Sequence, residues 1–423
     1  MPEVSDLLKN LNLGLAWLII KTWWWVPLPF IIFPLLKVLY LFWIQKRWDA
    51  KVERILLEIK IPREIFKPIK AMEYVFAGLH GIHDPANFRE KWIDGQFQLS
   101  LSFEIVSLGG EPHFYIRTPV QFRKHVESSI YAQYPEAEIS QVDDYTKYVP
   151  QDIPKPGWDL WGCDYIATKE DPYPIKTYRQ FEVERETKEE RRVDPLAQLL
   201  EGMTTLQPGE QLWFQVITKP IIDEIPWVKK GLDIVNKLVR RPVPRAQRPI
   251  IQEAAEVLIM GPSPPVGEVK EIIPPEMKLT PGERTIVMAI EEKISKFGFD
   301  SNIRFIYLGK EDIFFKPHIR IPMGYMKALS TLNLNGLRPW MKTITKIMWF
   351  FRNRRLYLRK RRIFRYYQKR WPPLFPRRGG TYVLNSEELA TLYHLPGRIV
   401  APAPTIPRVE AKKGEPPPGL PIE

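Results

Sequence analysis

Apolar residues dominate one stretch near the amino terminus, residues 13–45, in which the only charged residues are Lys21 and Lys37. A run of this length and composition predicts a membrane-spanning helix, which we place at about residues 20–42. The two lysines are separated by about 24 Å along a helix, so each would lie just inside an opposite boundary of a hydrocarbon core about 30 Å thick. The prolines of the run leave a bent or re-entrant helix as the alternative.

Aromatic and basic residues around this run predict its interfaces and its orientation. Trp and Tyr prefer the membrane–water interface, and Lys can extend its ammonium group towards it. The residues expected there are Lys21, Trp23, Trp24, Trp25, Lys37, Tyr40 and Trp43. Four basic residues follow the run between residues 46 and 54, whereas only Lys9 precedes it. The positive-inside rule therefore predicts a single-pass protein of the cell membrane, with the bulk of the chain in the cytoplasm.

Beyond residue 46 the apolar positions either alternate or recur at helical spacing. Residues 97–108 alternate and precede Gly109-Gly110, which predicts a strand and a hairpin turn. Together with neighbouring helices and strands, the order α-β-β-α-β is typical of a ferredoxin-like layer. We therefore predict an α+β fold in which an N-terminal transmembrane helix is followed by ferredoxin-like α/β sandwich units, a helical insertion and a long basic helix.

Shifts in composition divide the chain into six segments. They are a membrane anchor at 1–45, a first α+β domain at 46–222, a helical and Pro-rich insertion at 223–277, a second α/β unit at 278–340, a basic aromatic helix at 341–378, and a short helix with a Pro-rich tail at 379–423. The second unit opens on a clear helix signal, because Thr280 and Glu283 have capping-box spacing and Pro281 stands at the first helical position. Asn385 and Glu388 repeat the same spacing.

The positive charge of the chain is concentrated in residues 341–378. The whole chain carries 62 Lys and Arg against 49 Asp and Glu, a formal net charge of +13. Fourteen of the basic residues and none of the acidic ones fall in this stretch, so the remaining 62 − 14 = 48 basic residues nearly balance the 49 acidic ones. Charge so concentrated usually meets an anionic partner, although a solvated helix without one is the alternative.

Phosphate is the anion that this stretch is best suited to bind. Arg and Lys neutralise phosphates, and aromatic rings stack on bases or lie in a membrane interface. The expected phosphate-binding residues are Arg352, Arg354, Arg355, Arg359, Lys360, Arg361, Arg362, Arg365, Lys369 and Arg370, and the expected stacking residues are Tyr357, Tyr366, Tyr367 and Trp371. The pattern leaves open whether the phosphates belong to DNA, RNA or lipid.

Motifs that would carry catalysis do not occur in the sequence. There is no G-x-x-x-x-G-K-[ST] phosphate loop, so the chain by itself is not a P-loop NTPase. His80 and His83 are spaced as H-x-x-H, but no third ligand for zinc is close in sequence. The one cysteine, Cys163, has apolar neighbours and is expected in a buried strand. We predict no enzyme activity, no cofactor and no metal.

Several stretches together resemble a bacterial family. They are AMEYVFAGLHGI (71–82), LSFEIVSLGGEPHFYIRTP (101–119), VESSIYAQYPEAEI (126–139), LTPGERTIVMAIEEKISKFGF (279–299), IRFIYLGK (303–310), TYVLNSEELATLYHLPG (381–397) and EAKKGEPPPGLP (410–421). They resemble the membrane-attached N-terminal, non-motor region of the coupling-protein-like ATPases of type IV secretion and conjugative DNA transfer. In that family a RecA-like motor follows the Pro-rich tail. The resemblance implies a split arrangement, with the motor ATPase on a separate chain.

The resemblance and the basic stretch together lead to two principal hypotheses. The first is a membrane-anchored, non-enzymatic subunit of a type IV secretion or conjugation-like DNA translocation machine, which docks a separate motor ATPase and contacts nucleic acid through its basic stretch. The second is a membrane scaffold protein that binds anionic lipid through the same stretch. The expected partners are the motor ATPase and the membrane, with DNA and further copies of the chain as candidates. An enzyme of unrecognised type is a third reading.

Overall fold

The computed structural model describes residues 21–22, 27–62, 67–183, 194–221, 226–239, 279–348, 350–372 and 380–397. The chain folds into two compact units, one formed by residues 1–53 and 84–98 and the other by residues 54–83 and 99–423. Most of the predicted insertion at 223–277 and the tail at 398–423 lie outside the described residues.

The first unit is built on helix α1, Pro27–Asp49, with Lys46 and Arg47 in its last turn. One side of α1 packs on residues 84–98 of the same unit, where the Trp48 ring lies 5.1 Å from that of Phe97. Gly95 ends a π-helical turn with a φ of 77°, and a β-carbon there would meet the backbone oxygen of Ile44 at 2.5 Å. This close approach requires a glycine.

The expected N-terminal transmembrane helix is contradicted. Among the described residues, no helix is both long enough and apolar enough to cross a membrane. Helix α1 begins at Pro27 and ends at Asp49, so it lies about seven residues further along the chain than the predicted span at 20–42. One side of α1 is engaged with other residues of its unit, as described above, whereas a span inserted alone would present every side to lipid.

The second unit is built on one nine-stranded antiparallel sheet, with the strand order β4-β1-β3-β2-β6-β7-β5-β8 and with β9 paired to the start of β7. The strands are β1 (Arg54–Lys60), β2 (Leu101–Leu108), β3 (Glu111–Pro119), β4 (Glu138–Val142), β5 (Trp158–Ala167), β6 (Glu210–Pro220), β7 (Gly298–Lys310), β8 (Leu337–Pro339) and β9 (Tyr382–Asn385). Strand β7 pairs with β6 on one side and with β5 on the other.

Helices lie between and after the strands along the chain. They are α2 (Lys70–Leu79), α3 (Arg123–Tyr131), α4 (Tyr178–Val183), α5 (Ala197–Thr204), α6 (Trp227–Val239), α7 (Pro281–Ile294), α8 (Arg320–Ala328), α9 (Arg352–Lys369) and α10 (Ser386–Leu392). Both predicted capping boxes are present, at Thr280 with Glu283 and at Asn385 with Glu388.

The two faces of the sheet differ in chemistry. One face, which we call the apolar face, carries Phe103, Phe214 and Phe305 and is covered mainly by α2, α3, α5, α8 and α10. Because side chains alternate along a strand, Glu104, Gln215 and Arg304, each next in sequence to one of these phenylalanines, point to the opposite side, which we call the charged face. Helix α9 covers part of the charged face.

Helices and antiparallel strands thus form an α+β fold, but the separate ferredoxin-like sandwich units are replaced by one sheet. Strand β7 belongs to the segment predicted as the second α/β unit, yet it lies between β6 and β5 of the predicted first domain. Its register with β6 runs from Glu210 opposite Gly309 to Pro220 opposite Phe299. Pairing over such a length buries β7 on both edges, so the two segments share one core.

Candidate functional site

The basic stretch reaches the charged face along the edge of β5. After β8, the Thr345 hydroxyl accepts a hydrogen bond from the Gly162 N–H at 3.0 Å, and the Thr345 N–H donates to the Gly162 carbonyl at 3.1 Å. The Thr343 hydroxyl accepts from the Asp164 N–H at 3.0 Å. These bonds lie along the edge of β5 opposite to β7, and they tie the segment that precedes α9 to that strand.

One side of α9 is buried against the charged face. Ile363, Phe364 and Tyr367 are almost fully buried there. The Trp213 ring lies 6.2 Å from that of Phe364 and 5.1 Å from that of Tyr367. At about 100° per residue these buried positions share one side of the helix, so the opposite side is left for solvent.

Arg370 anchors the carboxyl-terminal end of α9. Its guanidinium donates to both carboxylate oxygens of Glu104, at 2.9 and 3.0 Å, and also pairs with Asp144. Burial by itself raises the pKa of Glu104. Arg370, with the hydroxyl groups of Ser102 and Tyr145, more than offsets this effect and holds the pKa below its usual value. The Arg370–Glu104 pair is buried, so removing either partner leaves an unpaired charge out of water.

Glu104 belongs to a polar row that crosses the charged face from strand to strand. Its members stand directly opposite one another in the sheet register: Glu58, Tyr115, Glu104, Gln215, Arg304 and Asp164. Arg304 donates to Asp164 at 2.7 Å and to the carbonyl of Trp371 at 3.0 Å. Gln215 also donates to the carbonyl of Tyr367 at 3.3 Å, so the row meets the end of α9 at Tyr367, Arg370 and Trp371.

Three basic residues predicted to bind phosphate are instead used inside the protein. Arg370 is buried against Glu104, as described above. Lys360 forms an ion pair with Asp159 of β5. Arg359 donates to the carbonyl oxygen of Ile344 at 2.9 Å and so ties α9 to the segment before it. These contacts attach α9 to the rest of the second unit. They also remove three residues from the set that was predicted to bind phosphate.

The other seven predicted phosphate-binding residues form what we call the outward basic face. They are Arg352, Arg354, Arg355, Arg361, Arg362, Arg365 and Lys369. All are exposed except Arg361, which is half-buried, and none forms an ion pair with an acidic residue in the part of the chain that the structure describes. They extend over about 26 Å of helix at 1.5 Å per residue. Their spacing in the sequence is helical, and this spacing alone places most of them on one side of α9.

Electrostatic repulsion is strongest near the amino-terminal half of α9. The first turn contains Arg352, Arg354 and Arg355, with no acidic residue and no side-chain cap. Positive charge is unfavourable at this end of a helix, where the macrodipole is itself positive. Burial first, and then the guanidinium groups of Arg355 and Arg362, lower the pKa of Arg359. An anion near these groups would relieve this repulsion.

The predicted stacking residues are not equally accessible. Tyr357 is exposed, whereas Tyr366 and Trp371 are half-buried. Tyr367 is fully buried, and its hydroxyl lies 2.8 Å from that of Tyr145, so it cannot stack on a base in this structure. The Lys369 ammonium lies 4.8 Å from the centre of the Trp371 ring.

Three residues expected at a membrane interface lie outside the described part of the chain: Trp23, Trp24 and Trp25. Lys37 and Tyr40 both contact Trp92, through an ammonium 4.8 Å from its ring and a hydroxyl donating to its carbonyl at 3.0 Å. Lys21 and Trp43 are exposed. The structure therefore shows Lys37 and Tyr40 packed against Trp92 within the first unit.

His80, His83 and Cys163, the residues considered for metal binding or thiol chemistry, all lie in the second unit. Among the described residues, no group of three or more His, Cys, Asp or Glu side chains is arranged to hold a metal ion. The rings of His80 and His83 stack with their centres 5.9 Å apart. Cys163 is buried on the apolar face, and burial raises the pKa of its thiol well above the usual value, which disfavours the reactive thiolate.

Sequence reasoning missed the acidic residues that hold α9. Glu104 and Asp144 lie more than 200 positions from Arg370 in the chain. The one local signal was a glutamate inside the otherwise apolar stretch LSFEIVSL of β2. A charged residue inside a buried strand indicates a partner but does not identify it.

Comparison with known protein families identifies the family of this chain. The model of a family described as "Domain of unknown function (DUF8128)" matches residues 47–313, more than half of the chain. This region contains β1 to β7 and the acidic partners Glu104, Asp144 and Asp159, whereas α9 follows it. A search of the curated proteins found no match.

Proposed function

The chain belongs to the family described as DUF8128, a description that states no activity, and from the outward basic face of α9 we propose that the protein is a non-enzymatic binder of the phosphate backbone of a nucleic acid. The proposal rests on one observation. Seven basic side chains lie along a helix that is itself fixed to the sheet, and none of them pairs with an acidic residue in the described part of the chain. Six of the seven, all but Arg352, lie on the side opposite the buried residues of the helix.

A linear array of cations suits a linear polyanion. Single- and double-stranded nucleic acids present phosphates at regular intervals, and each neutralised phosphate releases a condensed counterion. Six of the seven residues are arginines, whose planar guanidinium groups can bind phosphate through two parallel hydrogen bonds. The buried contacts of Arg359, Lys360 and Arg370 hold the array in place before the ligand arrives, which reduces the entropy lost on binding.

Removal of positive charge from α9, compared with removal of the same charge elsewhere in the second unit, tests this proposal. The variant Arg354→Gln, Arg361→Gln, Arg362→Gln, Arg365→Gln removes four charges from the outward basic face. A matched control removes four exposed lysines elsewhere in the second unit: Lys124→Gln, Lys147→Gln, Lys316→Gln and Lys327→Gln. We expect fluorescence anisotropy with labelled oligonucleotides to show about a tenfold or larger loss of affinity in the first variant and little change in the control. Equal losses would contradict a binding site on α9.

A second candidate, binding to an anionic lipid surface, is favoured by the first unit. Helix α1 exposes a continuous set of apolar side chains: Ile32, Phe33, Leu35, Leu36, Val38, Leu39, Tyr40, Phe42 and Trp43. Apolar patches of this kind are rare on free monomers, and Lys46 and Arg47 follow directly with charge suited to anionic headgroups. Sedimentation with phosphatidylglycerol vesicles, compared with phosphatidylcholine vesicles, tests this candidate. Binding to neither would exclude it.

The resemblance to coupling-protein-like ATPases extends the first proposal to a DNA translocation machine with its motor on a separate chain. This extension rests on the sequence stretches alone. Affinity purification of the tagged protein from its native cells, in mild detergent, should recover a P-loop ATPase in near-stoichiometric amount. Recovery of the protein without any ATPase, under conditions that preserve other membrane assemblies, would argue against the machine while leaving nucleic-acid binding untouched.

A further inference from the structure

Two adjacent phenylalanines at the start of α9 are unusually exposed. Phe350 and Phe351 each leave 81% of their surface accessible. Phe351 also has a φ of 55°, in the left-handed region, where a bulky side chain is strained. A pair of apolar rings held in water, one of them on a strained backbone, is unfavourable for the free protein. A ligand that covers the rings would offset this disadvantage.

The phenylalanine pair is continuous with the outward basic face. Phe351 directly precedes Arg352, the first residue of α9. The Arg355 guanidinium lies 3.5 Å from the carbonyl oxygen of Phe350, so a charged group of the face stays close to the pair. Aromatic rings beside an arginine-rich track are the combination that binds single-stranded nucleic acid, because rings stack on unpaired bases while cations follow the backbone.

We propose that Phe350 and Phe351 form a stacking platform for unpaired bases, so that the protein prefers single-stranded to double-stranded nucleic acid. The proposal rests on the phosphate binding proposed above and adds the class of strand. A duplex keeps its bases inside and can use only the basic face, whereas a single strand can use both surfaces. Stacking tolerates any base, so the preference concerns strandedness and not sequence.

The competing occupant is a lipid surface, into which exposed phenylalanines can also insert. Charge geometry favours the nucleic acid, since six of the seven cations form a track about 22 Å long on one helix side. The pair lies at one end of this track. A strand that follows the track would bring its bases to the pair, whereas a membrane surface would be matched by a broader spread of charge. Lipid binding is therefore an outcome of the test.

The test compares the variant Phe350→Ala, Phe351→Ala with the wild type on three probes. The probes are a thymidine strand of about 20 nucleotides, an abasic strand of the same length, and a duplex. We expect the variant to lose about tenfold or more of its affinity for the thymidine strand and to bind the abasic strand and the duplex as the wild type does. Phe350→Trp, Phe351→Trp should retain binding, because an indole also stacks.

The matched control is Phe88→Ala, which removes an equally exposed phenylalanine, 80% accessible, from the first unit. Its affinity for all probes should equal that of the wild type. Equal wild-type affinity for the thymidine and abasic strands would overturn the platform and leave backbone binding intact. The Phe350→Ala, Phe351→Ala variant is also sedimented with phosphatidylglycerol vesicles. Loss of vesicle binding, with wild-type affinity for all three probes, would overturn the platform and assign the pair to lipid. Failure of the wild type to bind any probe would overturn both proposals.

Discussion

Arg370 joins the end of α9 to the charged face of the sheet. Its guanidinium is buried against Glu104 and Asp144, although the arginine-rich run that it follows would by itself assign it to phosphate. Its φ of 54° is left-handed, at a helix end where glycine or asparagine is usual. The ion pairs account for an arginine in this position. Tyr367 was misread for the same reason, because local composition does not tell which side of a helix meets a sheet.

Arg370→Gln should therefore lower stability far more than it lowers nucleic-acid affinity. Breaking a buried pair from one side typically costs about 3–5 kcal/mol, since Glu104 would stay buried without its counterion. Arg365→Gln, on the outward basic face, should change the free energy of unfolding by less than about 0.5 kcal/mol. Urea unfolding of both variants provides the comparison. Equal stability of the two variants would show that the Arg370 pair contributes nothing.

The same pair predicts how stability depends on pH. Burial raises the pKa of Glu104 and of Asp144, but Arg370 and local hydrogen bonds more than offset it, and both values are lowered. Near about pH 4 the unfolded chain then binds protons that the native protein does not, so native stability falls as the pH drops below about 5. Glu104→Gln removes one of these titrations. Its stability deficit relative to the wild type should shrink between pH 7 and pH 4, and a constant deficit would exclude this linkage.

Helix α9 shows what a local pattern can predict about an element. The sequence predicts a helix within the basic stretch, and its buried positions Ile363, Phe364 and Tyr367 recur at helical spacing. Residues 341–351 were expected to belong to the helix, but part of that segment pairs along the edge of β5 instead. No local signal marks this pairing. By contrast, the capping boxes of α7 and α10 depend only on residues three apart, and both were predictable.

Gly162→Ala tests the close packing of α9 on β5. A β-carbon at Gly162 would lie 2.8 Å from the Phe305 carbonyl oxygen and 3.2 Å from the Ile363 side chain, so the strand or the helix must shift. We expect a loss of about 1–3 kcal/mol in stability and faster amide hydrogen exchange within α9.

The control for this variant is Gly282→Ala in α7, where a β-carbon meets no atom within 4 Å. Alanine favours helix over glycine, so stability should stay the same or rise by up to about 1 kcal/mol. Unchanged exchange in α9 of the Gly162→Ala protein would mean that the helix is not closely packed on β5.

At the scale of the whole molecule, the sheet brings together residues that are remote in sequence. Strand β7 pairs with β6 across an intervening segment of 77 residues (221–297) and with β5 across one of 130 residues (168–297). Alternation alone cannot reveal such connections. The α+β class and many individual strands could be predicted, since each depends on local periodicity. The polar row on the charged face could not be predicted, because its members come together only when six strands pair in their observed registers. Through Glu104, that row removes Arg370 from the basic residues that are available to a ligand.

The salt dependence of oligonucleotide binding tests the outward basic face most directly. If each of its seven residues contacts one phosphate, log K should fall linearly with log salt, with a slope of about −5 for a single strand and about −6 for a duplex. The four-glutamine variant of the face retains three of these residues, so its slope for a single strand should be about −2. The four-lysine control should keep the wild-type slope. A wild-type slope near zero, or one that the four-glutamine variant leaves unchanged, would contradict phosphate binding by α9.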